Sequence, residues 1–276
     1  MMQAASTHTL YTPHERAAMT TAGAFRDVEV MKERCPALFT TTPHPSLSER
    51  YSFTNTYDII MSAINRGYKV TSIQGGEQKY GKMLIRMRHT AYSNLKHGAP
   101  ELVLRDSHDG SSSLTLLLGY IVFICGNGQI VSDNIYARTF MHIAPDLHAQ
   151  VLLELDDVLT YMEQLEQDTA RMRNRTTNIG ERMMLADAAT IARFGEGVSN
   201  SQMAMMRHIW LAPRRDADND NSLFTVMNVI QENALRGGMH YQTTRAMRRM
   251  SDIRSVDRNV RINQQLWQAA SALLAA

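Results

Sequence analysis

The sequence has only two cysteines, Cys35 and Cys125, and they are not spaced as a CxxC pair. A disulfide framework needs several cysteines, and a structural zinc site needs ligands paired at short spacing. The sequence therefore predicts neither a disulfide-stabilised domain nor a zinc module, and it is typical of a protein from a reducing compartment.

Long hydrophobic runs are also lacking. The longest extends from Leu114 to Ile124, far short of the ~20 apolar residues that a membrane helix requires. Its apolar and β-branched residues favour a buried strand instead. The first residues show no basic segment followed by an apolar one, as a secretion signal would. We therefore expect a cytoplasmic protein without membrane association.

Neither sign of charge is in excess, because 29 Lys and Arg stand against 27 Asp and Glu. Any argument for nucleic-acid binding must therefore depend on local clustering rather than on net charge. Hydrophobic residues make up 44% of the chain, which is typical of a folded globular protein. Aromatic residues make up only 7%, so few side chains are available to stack on bases.

The order of predicted elements indicates an α+β fold with three regions. Residues 1–47 are rich in Thr, Ala, His and Pro and are predicted to be a flexible N-terminal arm. Residues 48–144 are predicted to form one leading helix and an antiparallel sheet of four to five strands. Residues 145–276 are predicted to be helical and packed on the sheet, because amphipathic patterns follow one another there.

Two basic clusters could bind nucleic acid. In the predicted strand 82–90, alternation puts Lys82, Arg86 and Arg88 on the face opposite Met83, Ile85 and Met87. A solvated sheet face explains this pattern equally well. The second cluster has seven arginines against two aspartates between Arg236 and Arg261, in a stretch that looks like a loop. Its predicted phosphate-binding residues are Arg245, Arg248, Arg249 and Arg254.

Several short blocks occur in a characteristic order along the chain. The most specific is Ser107-His108-Asp109-Gly110-Ser111-Ser112, and Asn127 lies in a later Gly-rich turn. The helical half adds Pro213-Arg214-Arg215, Gln231-Glu232-Asn233 with Gly237-Gly238, and Arg261-Ile262-Asn263. With these blocks the sequence resembles the phage/plasmid-like family of unknown function, which includes YfjQ/YafZ-type proteins of prophages and plasmids. Asp106 departs from the Asn that is usual in that family.

The resemblance implies an origin in a mobile genetic element and assigns no reaction. Its motif residues therefore have no known role here: Ser107, His108, Asp109, Gly110, Asn127, Arg214, Arg215 and Arg261.

Ser107, His108 and Asp109 are the three residue types of a catalytic triad, but their spacing argues against one. Successive residues of a strand point to opposite faces, so these side chains would not converge. The Asp109-Gly110 pair instead predicts a hairpin end with Gly110 at positive φ. A metal site that uses His108 and Asp109 with His89 or Asp133 lacks any paired spacing. The sequence shows no convincing active site, and we expect no metal or cofactor.

Three functions remain open. The favoured hypothesis is a mobile-element accessory protein that binds nucleic acid, preferably single-stranded DNA, and anneals strands. The predicted helix, three-strand meander and following helix resemble the core order of the Redβ/RecT/Erf annealing proteins, by analogy of fold alone. Such a protein needs no catalytic residue and would form a homo-oligomer. The alternatives are an anti-defence or host-takeover protein that binds a host protein, and a metal-dependent nuclease.

Overall fold

The computed structural model describes most of the chain after its first 31 residues. The described ranges are 32–123, 127–131, 136–143, 146–242 and 246–276. The chain divides into two compact units. The first comprises residues 1–128 and 135–164, and the second comprises residues 129–134 and 165–276.

The first unit is built on an antiparallel sheet preceded by one helix. The helix, α1, spans Thr56–Asn65, and its N-terminus is capped by the Asn55 side chain, which accepts a hydrogen bond from Tyr57 N. Six strands follow. They are β1 (Tyr68–Gly75), β2 (Met83–His89), β3 (Gly98–Asp106), β4 (Leu114–Val122), β5 (Asn127–Ile130) and β6 (Ala137–Phe140).

The sheet order is β1-β2-β3-β4-β5, and β6 also pairs with β4. Because cross-strand partners lie on the same face, the register assigns every side chain to one of two faces. Tyr68, Met87 and Leu102 lie on the first face, and the Tyr68 hydroxyl donates to Leu155 O of the helix α2 (Leu147–Asn174). The first face is therefore covered by helix, and its apolar side chains form the core of this unit.

Part of the N-terminal region is packed against the first unit. Its first 31 residues lie outside the described residues, but Cys35, Ala37 and Leu38 are buried. Ala37 N donates to Gly76 O, so this segment is fixed to the end of β1. The prediction of a flexible arm is wrong for this part, because Pro36 begins a short 3-10 turn, Pro36–Phe39, that packs Ala37 and Leu38 inward.

The second unit is helical. It contains the C-terminal part of α2 and the helices α3 (Ile179–Phe194), α4 (Asn200–Trp210), α5 (Leu223–Arg236) and α6 (Val256–Ala275). Each of the last four begins after a Ser or Asn whose side chain accepts a backbone N–H of the first turn. Both tryptophans, Trp210 and Trp267, are buried here. The second unit also contains a short ribbon of β7 (His240–Gln242) and β8 (Met247–Arg249).

The predicted fold class is confirmed: an antiparallel sheet comes first and helices follow. The strands β1, β2, β3 and β4 lie in the region predicted to form the sheet, and the helices α3, α5 and α6 lie in the region predicted to be helical. The helix α4 and the strands β6, β7 and β8 were not predicted. Among the described residues, no helix is long and apolar enough to span a membrane.

Candidate nucleic-acid interface

The β7–β8 ribbon is positioned by a pair of glycines that ends α5. Gly237 (φ 60°) and Gly238 (φ 85°) are both in the left-handed region, where side chains with a Cβ are strained. A Cβ on Gly237 would lie 2.5 Å from Ser251 O. Gly238 N donates to Met250 O and Met250 N donates to Met239 O, each at 2.8 Å. The two glycines therefore end α5 and close the base of the ribbon.

The ribbon presents arginine and histidine side chains to solvent. His240 pairs with Arg249, Tyr241 with Arg248, and Gln242 with Met247. All three residues of β8 are exposed, and Met247 is 62% exposed. Tyr241 is half-buried, with its ring 6.3 Å from that of Phe194. The side chains of Arg248 and Arg249 have no hydrogen-bond or carboxylate partner among the described residues. The ribbon therefore carries two solvated guanidinium groups whose charge is not neutralised locally.

The side chains of the other arginines in this cluster differ in the partners that they bind. Arg254 makes an exposed ion pair with Asp252 at 3.3 Å, and Arg236 pairs with the buried Glu232 at 2.7 Å. Arg258 and Arg261 of α6 donate to the carbonyl oxygens of Arg193 and Ala192, at the C-terminal end of α3. Cations at a helix C-terminus are favourable there because they face the negative end of the helix dipole. Arg245 lies outside the described residues.

Arg193 connects the end of α3 to the base of the ribbon. Its guanidinium is buried and donates to Ala234 O and Ser251 O. Burial, and next the neighbouring charge of Arg258, lower the pKa of Arg193 to about 10. The Arg193 side chain therefore holds the C-terminal part of α5 and the segment after β8 together.

The basic face predicted for β2 differs from the expectation because its arginines are buried. Met83, Ile85 and Met87 are fully buried, as predicted. Arg86 and Arg88 are also buried, at 6% and 4% exposure, and the prediction that they face outward or into a groove is wrong. The reason is Glu101 on β3, whose carboxylate lies 3.6 Å from Arg86 Nη1 and 3.3 Å from Arg88 Nη2. Lys82, just before β2, is half-buried.

The Ser107–Ser112 block forms the connection from β3 to β4, as predicted. Gly110 has φ 76°. Asp109 Oδ1 accepts from Ser111 N at 2.8 Å, and Ser107 Oγ accepts from Ser112 N at 3.0 Å. Burial acts to raise the pKa of Asp109, but the hydrogen bonds from Ser111 and Ser107 outweigh it and the pKa is lowered. These local bonds explain why this block contains serines and an aspartate beside a glycine.

The side chain of His108 belongs to a buried polar cluster rather than to the hydrogen bonds of this connection. Its Nε2 lies 3.1 Å from Thr56 Oγ1, and Thr56 Oγ1 donates to Asp106 Oδ2 at 2.7 Å. The other carboxylate oxygen, Oδ1, accepts from Ser107 N at 2.8 Å and lies 3.0 Å from His142 Nε2. The ring of Tyr51 stacks on His142 with centroids 4.6 Å apart. The cluster therefore attaches α1 and the chain before it to the end of β3.

Sequence reasoning missed His142 and the partners of Asp106. The one available signal was the position of Asp106, which shares the core face of β3 with Leu102 and Leu104. A carboxylate at a core position requires buried partners. The triad is absent, because His108 bonds to Thr56 whereas Asp109 bonds to Ser111.

Among the described residues, no group of three or more His, Cys, Asp or Glu side chains is placed to hold a metal. Of the residues considered as additional ligands, His89 Nε2 lies 2.9 Å from Arg66 O, and Asp133 lies outside the described residues.

The motif residues of the helical half form a second polar network, in which an exposed and a half-buried arginine bind buried partners. Arg214 Nε donates to Asn233 Oδ1 at 2.6 Å, and its Nη2 donates to Gly237 O at 2.7 Å. Arg215 pairs with Glu232 at 2.6 Å and with Asp218 at 2.9 Å. The Pro-Arg-Arg, Gln-Glu-Asn and Gly-Gly blocks therefore meet in space, and their contacts hold the end of α5. The side chain of Asn127, the remaining motif residue, lies outside the described residues.

The architecture defines an α+β protein with an antiparallel sheet unit and a helical unit that carries a basic ribbon. The sequence model of a domain of unknown function, DUF932, matches residues 43–267, and the chain belongs to this family. It is 30% identical over 249 residues to the UPF0380 protein YafZ and, equally, to the UPF0380 protein YfjQ, both from Escherichia coli (strain K12). Each alignment covers 87% of this chain and 88% of the relative. No solved structure matches. The family resemblance read from the motif blocks is confirmed.

The glycine of the β3–β4 connection offers a direct stability test. Gly110→Val is expected to destabilise the protein by ~1 kcal/mol or more, because a β-branched residue is strained at positive φ. A Cβ here would also lie 2.7 Å from Leu47 Cδ2. Thermal unfolding measures the effect. Gly197→Val is the control, since no atom lies within 4 Å of a Cβ at Gly197. Equal unfolding midpoints for the two variants would contradict the assignment.

The buried His108 predicts a stability that depends on pH. Burial lowers the pKa of His108 below its ordinary value of 6.5, although the Asp106 carboxylate opposes the shift. The unfolded chain therefore binds a proton near pH 6.5 that the folded chain resists, and stability is lost as the pH falls below 6.5. His108 contributes at most about 1.4 kcal/mol per pH unit to the slope of the free energy of unfolding against pH.

Native-state hydrogen exchange of the β2 and β3 amides, corrected for intrinsic rates, measures this slope between pH 7.5 and 5.5. His108→Gln is expected to be less stable at pH 7.5 but to have a flatter dependence on pH. A His108→Gln protein with the same slope as the wild type would show that another group is responsible.

Proposed function

We propose that this protein is a mobile-element accessory protein that binds nucleic acid in the cytoplasm, with single-stranded DNA favoured, and anneals complementary strands. The observation that carries the proposal is the β7–β8 ribbon, on which Arg248 and Arg249 are exposed and lack a partner among the described residues. A solvated loop normally mixes charges of both signs, whereas β8 is Met-Arg-Arg.

Arginine on such a ribbon is chemically suited to a phosphate backbone. The planar guanidinium donates several N–H groups in a fixed geometry that matches phosphate oxygens. Neither Arg248 nor Arg249 has an ion pair with a carboxylate that the structure describes. Binding to phosphate therefore does not require breaking such a pair, and its favourable free energy is not reduced by that cost. His240 and Tyr241 on the opposite strand offer ring surfaces beside these charges, and base stacking on rings is tolerant of sequence.

The sheet unit supports the annealing part of the proposal by analogy. Its order of helix, antiparallel meander and long helix is the order of elements that the Redβ/RecT/Erf annealing proteins have in their core. Annealing requires a protein to extend a strand with its bases accessible and requires no catalytic group. Proteins that act in this way along a strand commonly assemble, so a homo-oligomer is part of the proposal.

A binding titration tests the proposal. Fluorescence anisotropy with labelled single-stranded and double-stranded oligonucleotides of one length, at 50 mM and 200 mM salt, should show tighter binding to the single strand. Each neutralised phosphate of a single strand contributes a slope of roughly −0.7 in log affinity against log salt. Absence of single-strand binding at 50 mM salt would refute the proposal.

A second candidate function is binding to a host protein, and an apolar surface on α3 and α4 favours it. Ile179, Met183 and Met184 are 57%, 38% and 61% exposed. Ile179 and Met183 line an open groove together with Ala204, Leu211 and Arg207. Exposed apolar patches often mark protein contacts. If Met184→Lys abolishes capture of a host protein while Arg248→Ala does not, this function replaces the first.

A further inference from the structure

The register of the β7–β8 ribbon gives it two different faces. Directly opposite residues of an antiparallel pair share a face, and successive residues of a strand alternate between faces. Tyr241 and Arg248 are opposite each other and therefore lie on one face. The other face carries the remaining four residues, which are all exposed: His240, Gln242, Met247 and Arg249. The face of Tyr241 and Arg248 adjoins α3, because the Tyr241 ring lies 6.3 Å from that of Phe194.

Phe194, the last residue of α3, is held in place by buried neighbours although it is itself 36% exposed. Its ring is nearly parallel to that of the fully buried Trp210, with the centroids 6.4 Å apart and an angle of 18° between the planes. Trp210 Nε1 donates to Thr190 Oγ1 at 2.8 Å. The guanidinium carbon of the buried Arg193 lies 5.7 Å from the centroid of the Phe194 ring. These contacts support the ring from the interior, so its exposed part is presented to solvent in a fixed position.

The surroundings of Phe194 distinguish it from an ordinary exposed apolar residue. A single exposed apolar side chain needs no explanation. Here two partly exposed rings lie beside Arg248, whose exposed side chain has no hydrogen-bond or carboxylate partner in the part of the chain that the structure describes. Rings that stack on bases, next to cations that bind phosphates, are the combination that single-strand binding uses. In a duplex each base is covered by its neighbours, so this combination favours a single strand.

We infer that Phe194 and Tyr241 form a base-stacking site, in which a strand whose phosphate contacts Arg248 places a base against these rings. This site rests on the proposed function and extends it, since the bases of the strand are bound as well as its phosphates. Stacking on a ring is tolerant of sequence because every base has an aromatic face. The contacts with Trp210 and Arg193 fix the Phe194 ring before binding, so little conformational entropy is lost there when a base binds.

Abasic strands test the stacking site without any change to the protein. Fluorescence anisotropy would compare a labelled oligothymidylate with a strand of the same length whose central nucleotides are abasic, because both strands present the same phosphates. The wild-type protein should bind the abasic strand about 5-fold or more weakly, the loss expected for one base–ring stack. The slope of log affinity against log salt should be the same for both strands, since the phosphate contacts are unchanged.

Phe194→Leu assigns the stacking to the ring. Leucine keeps an apolar contact with Trp210 but has no aromatic face. The variant should bind the oligothymidylate about 5-fold more weakly than wild type. It should bind the abasic strand as the wild type does, with the wild-type salt slope. Phe194→Trp keeps an aromatic ring and should preserve the discrimination between the two strands. A variant that fails to fold would lose affinity for both strands, so misfolding cannot imitate this pattern.

Phe39→Leu is the matched control. It makes the same change in the first unit, where the half-buried Phe39 packs on Tyr57 with ring centroids 5.1 Å apart. This variant should discriminate between the two strands as the wild type does.

Equal affinity of the wild-type protein for both strands would overturn the stacking site, and so would a Phe194→Leu protein that still discriminates between them as the wild type does. Failure of the phosphate contacts gives a different result. If replacement of Arg248 and Arg249 with Ala leaves the salt slope unaltered while the abasic strand still binds more weakly, the stacking of bases is supported and the phosphate contacts of the ribbon are refuted. A wild-type protein that binds neither strand at low salt refutes both.

Discussion

Replacing Asn233 with Asp is expected to destabilise the second unit by ~3 kcal/mol or more. Asn233 is fully buried, and its Nδ2 donates to the carbonyl oxygens of Ile209, Trp210 and Ala212 at 2.9–3.2 Å. An aspartate of the same shape cannot donate, so these carbonyls lose their partner and face a carboxylate. Each unsatisfied buried group costs about 1–3 kcal/mol. Arg214, which already donates to Asn233 Oδ1, offsets part of this cost.

Tryptophan fluorescence during urea unfolding measures this effect selectively. The chain has two tryptophans, and both are buried in the second unit. Gln268→Glu is the control, because it makes the same amide-to-carboxylate change at an exposed position of α6. The control should stay within about 0.5 kcal/mol of wild type. An Asn233→Asp protein that unfolds at the wild-type urea concentration would show that the motif network does not stabilise the end of α5.

Replacing both Arg248 and Arg249 with Ala is expected to weaken single-strand binding by ~10-fold or more at low salt. The loss should be equal for all base sequences, because phosphate contacts carry no base information. The slope of log affinity against log salt should flatten by roughly 0.7 per lost contact. Stability should change little, because neither side chain has a partner among the described residues and exposed arginines contribute at most ~1 kcal/mol each.

The control for this variant removes the same charge elsewhere in the second unit. Arg171 makes a surface pair with Asp168, and Arg182 bonds to Asn221 Oδ1. The double variant Arg171→Ala with Arg182→Ala should retain the wild-type salt slope. Equal flattening in both double variants would indicate a non-specific effect of net charge, and an unaltered slope after loss of Arg248 and Arg249 would exclude the ribbon.

Local patterns predicted most of the regular elements because their signals lie within a few residues. Alternation over 83–87 identified β2 and its core face, and the Asp109-Gly110 pair identified the connection from β3 to β4. The helix α4 was missed because four of its six apolar residues, Met203 to Met206 in NSQMAMMRHIW, are consecutive and give no helical spacing. The ribbon was taken for a loop because its two strands have only three residues each.

The side-chain partners could not be predicted, because they depend on register. Alternation correctly placed Arg86 and Arg88 on one face of β2, but their burial follows from Glu101 on the next strand. Likewise, Asp106 and His142 are 36 residues apart in the chain and meet only in the folded sheet unit. The exposure of Arg248 and Arg249 agrees with the sequence-based expectation, and their role as ligands of nucleic acid stays a prediction.

Photochemical cross-linking tests the central claim most directly. Wild-type protein bound to a single-stranded oligonucleotide that contains 5-bromodeoxyuridine would be irradiated, digested and mapped by mass spectrometry. The proposed function predicts cross-links within residues 240–249, at ring or Met side chains such as Tyr241 and Met247, and their loss when Arg248 and Arg249 are replaced with Ala. Cross-links confined to the sheet unit, or none under conditions in which the oligonucleotide is bound, would contradict the assignment of the ribbon as the nucleic-acid interface.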